Sequence, residues 1–272
     1  MMYGQQKYIS EFEARKLICQ IGKRMYDRNY VAANDGNISI KVGKNTVICT
    51  PTGVSKGFMT PDMLVKINMK GEKISGKLNP SSEVKMHLRV YEENEEVMAV
   101  THAHPVVATS YAIAGIKLDM AILPEAVVLL GNVPIAAYAT PGTQEVPDSI
   151  APYCKDHNAV LLANHGALTW GKDVIEAFHR LESLEHYATM MMYTTRVLGT
   201  YNQLTCDQVG TLVELRTKMG INAGGQPVCA PEPVAGEAPK TRVTEARDYK
   251  EEMIQNIVEK VTEKILSQMN KG

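Results

Sequence analysis

The sequence predicts an α/β sandwich around a largely antiparallel sheet, followed by a tethered C-terminal amphipathic helix. Runs with the alternation of strands are interleaved with segments of helical periodicity over roughly the first 220 residues. Several strand runs are separated by too few residues for a parallel crossover, which favours antiparallel pairing. Composition then changes after Asn222, where proline and glycine replace any regular period.

The overall composition limits the classes of partner. The 272 residues are 44% hydrophobic, enough for one large domain with an appendage. The net charge is −1, from 29 basic and 30 acidic residues, and gives no electrostatic reason to expect nucleic acid or an anionic membrane. No apolar run approaches the ~18–20 residues of a membrane span, and the N-terminus lacks a signal-peptide core. The five cysteines are scattered without a CxxC pair, which predicts reduced thiols in a cytoplasmic protein.

The elements follow in order from local signals. Ser10 and Glu13 have the spacing of a capping box and predict a first helix. A helix is expected to open near Ser81 and Ser82, another to end at Gly115, and a long amphipathic one to cover about 173–199. The predicted strands share short β-branched or alternating runs: 37–42, 46–50, 64–69, 97–104, 133–138, 159–163 and 167–170.

The C-terminal part divides the chain. We predict a core domain at 1–222, a linker at 223–247 and an amphipathic helix at 248–272. The last segment places its apolar residues on one helical face and charged residues on the other. The apolar residues are Met253, Ile254, Ile257, Val258, Val261, Ile265, Leu266 and Met269.

A histidine pattern predicts a metal site. His102 and His104 are one residue apart on a predicted strand, so both imidazoles lie on one face. His165, in Asn164-His165-Gly166, adds a third candidate at the end of another strand. Three histidines with an open position are what a catalytic zinc ion needs. The alternative is that these are ordinary hydrogen-bonded histidines. The other four histidines (His87, His157, His179 and His186) have no comparable setting. His179 and His186, seven apart on the predicted long helix, are predicted to be packing or surface residues.

Three small polar segments predict an anion site. They are 36–37 (GN), 50–53 (TPTG) and 80–83 (PSSE). Serines that open a helix offer free backbone N–H groups and the positive end of the helix dipole, which suit a phosphate. The alternative is that the serines cap the helix and the glycines make turns, with Glu83 an acid favoured by the dipole.

The ordered set GN, TPTG, PSSE, HAH and NHG resembles the class II aldolase/adducin family over residues about 8–220. The resemblance implies an α/β/α sandwich with a mainly antiparallel sheet, and a cyclic homotetramer with active sites between subunits. It implies that His102, His104 and His165 bind zinc, with Glu83 as catalytic acid/base and additional ligand. It also implies a phosphate cradle made of Gly36, Asn37, Thr52, Gly53, Ser81 and Ser82.

The implied reaction is zinc-dependent retro-aldol cleavage of a ketose 1-phosphate, such as L-fuculose 1-phosphate, to dihydroxyacetone phosphate and an aldehyde such as L-lactaldehyde. An epimerase of L-ribulose 5-phosphate has Asp in place of Glu83, so glutamate favours the aldolase. A sugar-acid phosphate decarboxylase or a dehydratase of the family stays an alternative. A non-enzymatic adducin-like scaffold is disfavoured because the three histidines are present.

The sequence departs from the family aldolases at two tyrosines. Leu123 and Met219 stand where those tyrosines are expected, so the proton donor to the aldehyde oxygen is open among Glu125, Tyr111 and Tyr138.

The tail suggests a partner of its own. A proline- and glycine-rich tether followed by a short amphipathic helix, here 248–269, resembles the encapsulation peptides of bacterial microcompartment cargo enzymes. The resemblance implies a shell or cargo partner. The alternative is a helix that docks on its own core or on another subunit.

Overall fold

An eight-stranded sheet forms the middle layer of the computed structural model, which describes residues 8–231, the backbone of Arg242–Val243, and Val258. Its strands are β1 (Asn37–Gly43), β2 (Thr46–Cys49), β3 (Val65–Asn68), β4 (Lys73–Ser75), β5 (Ala99–Ala103), β6 (Ile135–Ala136), β7 (Ala159–Leu162) and β8 (Gly166–Gly171). The strand order is β4-β3-β2-β1-β5-β8-β7-β6, and only β6 and β7 pair in parallel. The prediction of a mainly antiparallel sheet is confirmed.

Helices cover both faces of this sheet. They are α1 (Glu11–Asp27), α2 (Val84–Glu93), α3 (Val106–Ala114), α4 (Pro124–Leu129), α5 (Glu145–Ile150), α6 (Val174–Met192) and α7 (Cys206–Lys218). Helices α1, α3, α4 and α6 share one apolar core with the sheet, and α2 and α5 share the other. The three layers confirm the α/β/α sandwich. None of the described helices is long and apolar enough to cross a membrane.

Several element boundaries follow local signals in the sequence. The Ser10 side chain accepts a hydrogen bond from the Glu13 N–H at 3.2 Å and starts α1 as predicted. The predicted long helix begins after its N-cap Asp173, but regular α-helix ends at Met192 and a wider π-type turn follows at Tyr193–Val197. Strand β4 and helices α4, α5 and α7 were not predicted. A further short pair joins β9 (Thr200–Tyr201) to β10 (Arg242–Val243).

Strand β1 divides its side chains between the two cores. Ile38 and Ile40 lie in the core beneath α1 and α6, whereas Asn37 and Ser39 lie on the α2 side. His102 of β5 is the register partner of Asn37, so it sits beside that residue on the sheet. The alternation therefore brings polar groups from two strands to the α2 face.

The cysteines correct one prediction. Cys206 and Cys229 form a disulfide with their Cα atoms 5.0 Å apart, although the sequence predicted reduced thiols throughout. The two residues are 23 positions apart, and only the packing of residues 223–231 against α7 brings them together. Cys19, Cys49 and Cys154 are free thiols. The prediction of reduced thiols is therefore wrong for Cys206 and Cys229.

Residues 223–231, the first part of the predicted linker, lie against the core. The Asn132 N–H donates to the Gly224 carbonyl at 2.8 Å, and the Ala121 N–H donates to the Val228 carbonyl at 2.9 Å. Residues 223–231 are therefore packed against the core in this structure. The rest of the predicted linker and the terminal helix lie outside the described residues, apart from Arg242–Val243 and Val258.

Candidate active site

His102 and His104 stand at the end of β5 with their free nitrogens turned toward each other. The His102 side chain is fully buried, and its Nδ1 donates to the Ala167 carbonyl at 2.9 Å. The His104 Nδ1 lies 3.4 Å from Asp35 Oδ2. Because both Nδ1 atoms face oxygen acceptors, each Nε2 keeps its lone pair, and the two Nε2 atoms are 3.2 Å apart.

His165 reaches the same point from the turn between β7 and β8. Asn164 adopts a left-handed conformation with φ of 57°, which reverses the chain just before the histidine. At Gly166 a Cβ atom would lie 2.5 Å from His104 Cδ2 and 3.2 Å from His102 Cε1. Glycine is therefore required there, because the imidazoles pack directly over its backbone.

The three imidazoles have the donor set of a metal site. Their ligand nitrogens all lie within 4.8 Å of one another. Burial lowers the pKa of His102 and His104, which favours the neutral form that binds metals. The oxygens that face the Nδ1 atoms of His102 and His104 are the outer partners that metal-binding histidines usually have. The cluster therefore fits a divalent ion with nitrogen ligands, as the sequence predicted.

Glu83 lies directly before α2 and faces the histidines. Its carboxylate is 3.0 Å from His165 Nε2 and 3.7 Å from His102 Nε2. The Asn37 Nδ2 donates at 2.7 Å to Glu83 Oε2, the carboxylate oxygen nearer His102. Burial alone would raise the pKa of Glu83, but the surrounding imidazoles outweigh burial and hold the pKa of this carboxyl well below its usual range. Glu83 is thus a positioned carboxylate beside the metal cluster.

The three predicted anion segments meet at this end of the sheet. The Ser81 N–H donates to the Thr50 carbonyl at 3.2 Å, and the Thr52 N–H donates to the Asn79 carbonyl at 3.0 Å. The Thr50 N–H in turn donates to the Ile38 carbonyl at 3.0 Å. These bonds hold the loop after β2, the loop before α2 and the start of β1 side by side.

Within that arrangement the cradle residues differ in exposure. Thr52, Gly53 and Ser82 are exposed, Ser81 is half-buried, and Gly36 and Asn37 are buried. Gly36 has φ of 76°, and a Cβ there would lie 2.9 Å from the His102 carbonyl oxygen. The cradle therefore begins in contact with β5 and opens outward through the serine and threonine residues.

The N-cap of α2 is Glu83 and no side chain caps it, so the structure does not show the helix cap that the alternative predicted for the serines. The Ser81 hydroxyl accepts from the Glu83 N–H at 3.3 Å, which orders the turn before α2. The same hydroxyl lies 3.4 Å from Asn37 Nδ2. Ser81 thus orders the turn before α2 and contacts Asn37.

A buried row of hydrogen-bonded polar side chains behind Glu83 was not predicted from the sequence. His87 is fully buried, and its Nδ1 lies 2.8 Å from the Ser39 hydroxyl, which is 2.8 Å from the Tyr91 hydroxyl. Burial lowers the pKa of His87 to about 3, so the imidazole is neutral. Glu83, His87 and Tyr91 recur every four residues on one helix face and meet β1 residues that recur every two. The four-residue spacing on the helix and the two-residue spacing on the strand could together have predicted this row of polar groups.

Two further residues were missed for lack of a local signal. Asp35 was not singled out, yet it faces the His104 Nδ1. Lys56 is 1% exposed, and its ammonium group donates to the carbonyls of Asn34 and Val54. Nothing in the sequence around Asp35 or Lys56 distinguishes them from ordinary loop residues.

The residues considered as replacements for the two family tyrosines do not contact the histidine cluster. Within the described residues, no hydrogen bond or ion pair links Tyr111, Tyr138 or Glu125 to the three histidines. Tyr111 is buried and hydrogen-bonded to the Thr195 side chain, whereas Tyr138 is 62% exposed. Leu123 caps α4, and Met219 ends α7.

Comparisons with known proteins agree with this geometry. Residues 16–192 match the family model described as the class II aldolase and adducin N-terminal domain. An L-fuculose phosphate aldolase of Methanococcus maripaludis is 35% identical over 173 residues, covering 64% of this chain and 91% of the relative. A 3-oxo-tetronate 4-phosphate decarboxylase of Pectobacterium atrosepticum is 32% identical over 209 residues, covering 75% of this chain and 94% of the relative. A solved L-fuculose 1-phosphate aldolase superposes with a TM-score of 0.71 at 26% identity, covering 78% of this chain and all of that one.

Proposed function

Since the chain belongs to the class II aldolase and adducin family and is a metal-dependent lyase, we propose that it cleaves a ketose 1-phosphate. The substrate of this proposal is L-fuculose 1-phosphate, and the products are dihydroxyacetone phosphate and L-lactaldehyde. The observation that carries it is the Glu83 carboxylate, placed against two of the three clustered imidazoles and next to an anion cradle.

The reaction needs one proton to move between two substrate atoms. When the bond between C3 and C4 breaks, the 4-hydroxyl loses its proton and becomes the aldehyde carbonyl. C3 keeps the electron pair and gains a proton, which completes dihydroxyacetone phosphate. Glu83 is the proposed group that exchanges the proton at C3, because Asn37 and His165 hold its carboxylate at the histidine cluster.

The histidines supply the remaining part of the site. His102, His104 and His165 would hold a divalent ion, in this proposal zinc, with Glu83 as an additional ligand before substrate arrives. When bound, such an ion supplies Lewis acidity toward the carbonyl and hydroxyl oxygens of the substrate. Asp35 and the Ala167 carbonyl orient two of the imidazoles for that role.

The cradle fixes the position of the substrate relative to Glu83. Gly36, Asn37, Thr52, Gly53, Ser81 and Ser82 are the proposed phosphate-binding residues. The hydrogen bonds between their loops fix them relative to β1, which also carries the Asn37 partner of Glu83. Binding energy from the phosphate then orients the reacting carbons at Glu83.

A second candidate is decarboxylation of a 3-oxo-tetronate 4-phosphate. It is supported by the relatives of that name, which match at 32% identity over three quarters of this chain. The same carboxylate and cradle would serve it, because loss of carbon dioxide also leaves a carbanion that takes up a proton beside the carbonyl. The epimerase alternative is less supported, since Glu83 stands where that branch has Asp.

One assay separates these candidates. The purified, metal-loaded protein is incubated with fuculose, rhamnulose and ribulose 1-phosphates, and release of dihydroxyacetone phosphate is measured. A parallel reaction with 3-oxo-tetronate 4-phosphate is followed by carbon dioxide release. We expect the first product with fuculose 1-phosphate. Both reactions yield dihydroxyacetone phosphate, so the substrate separates them. Release of carbon dioxide and dihydroxyacetone phosphate from 3-oxo-tetronate 4-phosphate, with no dihydroxyacetone phosphate from any ketose 1-phosphate, would replace the aldolase by the decarboxylase.

We also propose a homotetramer with active sites between subunits; members of the family are typically oligomeric. Exposed apolar residues near the site support this assembly: Val106 and Ile113 on α3, and Tyr193, Val197 and Leu198 after α6. Helix α3 starts two residues after His104 and packs against α6. A second copy covering these residues would bring its own side chains near the histidines. Sedimentation of the purified protein should give four copies, and a monomer at assay concentration would contradict this.

The domain division 1–222, 223–247 and 248–272 and the role of 248–269 stay proposals. In this proposal the terminal segment binds a microcompartment shell or other cargo and takes no part in catalysis. A variant ending at residue 231 keeps all described cradle, histidine and disulfide residues. It should retain turnover and oligomer size and lose co-assembly with shell proteins. Loss of the oligomer in this variant would indicate a subunit contact instead.

A further inference from the structure

The proposed phosphate cradle contains no positively charged side chain. Its six residues are glycine, asparagine, threonine and serine, so they offer only neutral hydrogen-bond donors. A phosphate monoester carries nearly two negative charges at neutral pH. Bringing that charge to a partly buried site without a fixed cation would cost desolvation energy.

A buried lysine stands directly behind two of the three cradle segments. Lys56 is 1% exposed, and its Nζ donates to the Asn34 carbonyl at 2.7 Å and the Val54 carbonyl at 2.6 Å. Asn34 lies two residues before Gly36, and Val54 directly follows Gly53. The ammonium group therefore ties together the loops that end in the cradle glycines.

The energetic setting of Lys56 is unusual for a structural residue. Burial lowers the pKa of Lys56 to about 8, with the charges of Asp35 and Glu83 acting in the opposite direction. The ammonium is thus charged at neutral pH although both of its hydrogen bonds go to uncharged carbonyls. A buried lysine stays charged only where anions lie near it, and the Asp35 and Glu83 carboxylates supply part of that compensation through space. A phosphate at the cradle would be such an anion.

We propose that Lys56 is the fixed positive charge of the phosphate cradle, attracting the substrate phosphate through its field while holding the two loops in place. The inference rests on the proposed function and names one more residue of that site. Its role is positioning and electrostatic, since the loop carbonyls stand between the ammonium and the open side of the cradle. In a site of low dielectric such an interaction is only weakly screened.

The test measures binding and does not depend on the reaction. Calorimetry on the full-length, metal-loaded protein uses glycerol 3-phosphate as probe and glycerol as the uncharged reference. Lys56→Gln keeps a hydrogen-bond donor for the carbonyls but removes the charge, and Lys56→Met removes both. Lys66→Met is the matched control, because the Lys66 ammonium pairs with Glu11 on α1.

We expect Lys56→Gln and Lys56→Met to weaken binding of glycerol 3-phosphate at least about tenfold, with zinc content unchanged and Lys66→Met like the parent protein. Parent-like binding by Lys56→Gln would overturn the proposal, because the loops would then need only the donor. Loss of zinc together with phosphate binding would also overturn it in favour of a purely structural tie. If the parent protein itself did not bind the probe, the cradle of the proposed function would fail, and this inference with it.

Discussion

The two faces of strand β1 are built from opposite kinds of side chain. On one face Ile38 and Ile40 are buried in an apolar core under α1 and α6. On the other face Asn37 and Ser39 hydrogen-bond to Glu83 and His87 of the α2 segment. Both sets of side chains are carried by one strand. Differences between substitutions on the two faces therefore reflect the side chains and not the backbone.

The difference lies in what each kind of contact can specify. Apolar packing contributes free energy of folding roughly in proportion to buried area and tolerates small shifts. A hydrogen bond fixes the donor and acceptor to a few tenths of an ångström and leaves a costly orphan when one partner is lost. The α2 face of β1 therefore positions the Glu83 carboxylate, whereas the α1 face mainly stabilises the fold. Substitutions on each side should separate turnover from stability.

The largest loss of activity is expected at the histidine cluster, where the side chains are most closely constrained. His102→Ala removes a fully buried ligand, so metal content should fall and activity should drop to background. Chelation of the parent protein should do the same, with recovery on adding zinc. Metal analysis and dihydroxyacetone phosphate release are measured. The control His179→Ala, at an exposed position on α6, should keep both. Full activity of metal-free protein would refute the metal site.

Glu83→Gln comes next, because it changes charge and proton exchange but hardly changes size. Turnover should fall by ~10²-fold or more, the usual contribution of a general acid or base. Metal and phosphate-ester binding should remain. The matched control is Glu72→Gln, which alters an exposed carboxylate near β4. A kcat close to that of the parent protein would assign proton exchange to another residue.

Replacing Ser81 and Ser82 by alanine tests whether the cradle serves binding or only helix capping. Each lost bond to a charged group is worth roughly 1.5–3 kcal/mol, so KM for the phosphorylated ketose should rise strongly. The free sugar should be affected little. Ser149→Ala on α5 is the control. Equal loss for both sugars would mean that the serines act as structural caps.

The smallest effects compare the two faces directly. Ser39→Ala leaves buried groups of His87 and Tyr91 without their shared partner and should cost about 1–3 kcal/mol of stability. It should also lower kcat several-fold, because the α2 segment that carries Glu83 loses a tie to β1. Ile38→Val should cost about 0.5–1.5 kcal/mol and leave kcat unchanged. Urea unfolding and turnover are measured for both. An equal fall in kcat would show that the faces do not divide their roles.

The sequence predicted the parts of the fold that have strong local signals. The Ser10 cap, the alternating β1 run and the HxH pair on β5 each depend on neighbours within a few residues. The sandwich and the histidine cluster could therefore be predicted. Helix α7 was missed although Thr205 and Gln208 form a capping box, because its apolar face is weak and a proline-rich stretch follows.

The unpredicted parts depend on contacts between distant segments. The Cys206–Cys229 disulfide requires residues 223–231 to return to α7, and nothing in the local composition indicates that return. Burial of Lys56 likewise depends on two loops closing over its ammonium group. A lysine in a loop is normally exposed, so the sequence gives the opposite expectation. The hydrogen bond between His87 and Ser39 likewise joins segments that are distant in the sequence.

The covalent link at the base of the tail also determines how mechanical tension would travel through the enzyme. A pull on the chain beyond residue 243 first loads the pairing of β10 with β9. Any remaining tension reaches the Cys229 bond and is passed to the first residue of α7. From there it spreads into α4 and the segment around Ala121, which pack with α7. The catalytic strands β1 and β5 lie outside this load path. A tail anchored to a larger assembly could thus be stretched or crowded without shifting Glu83 relative to the histidines.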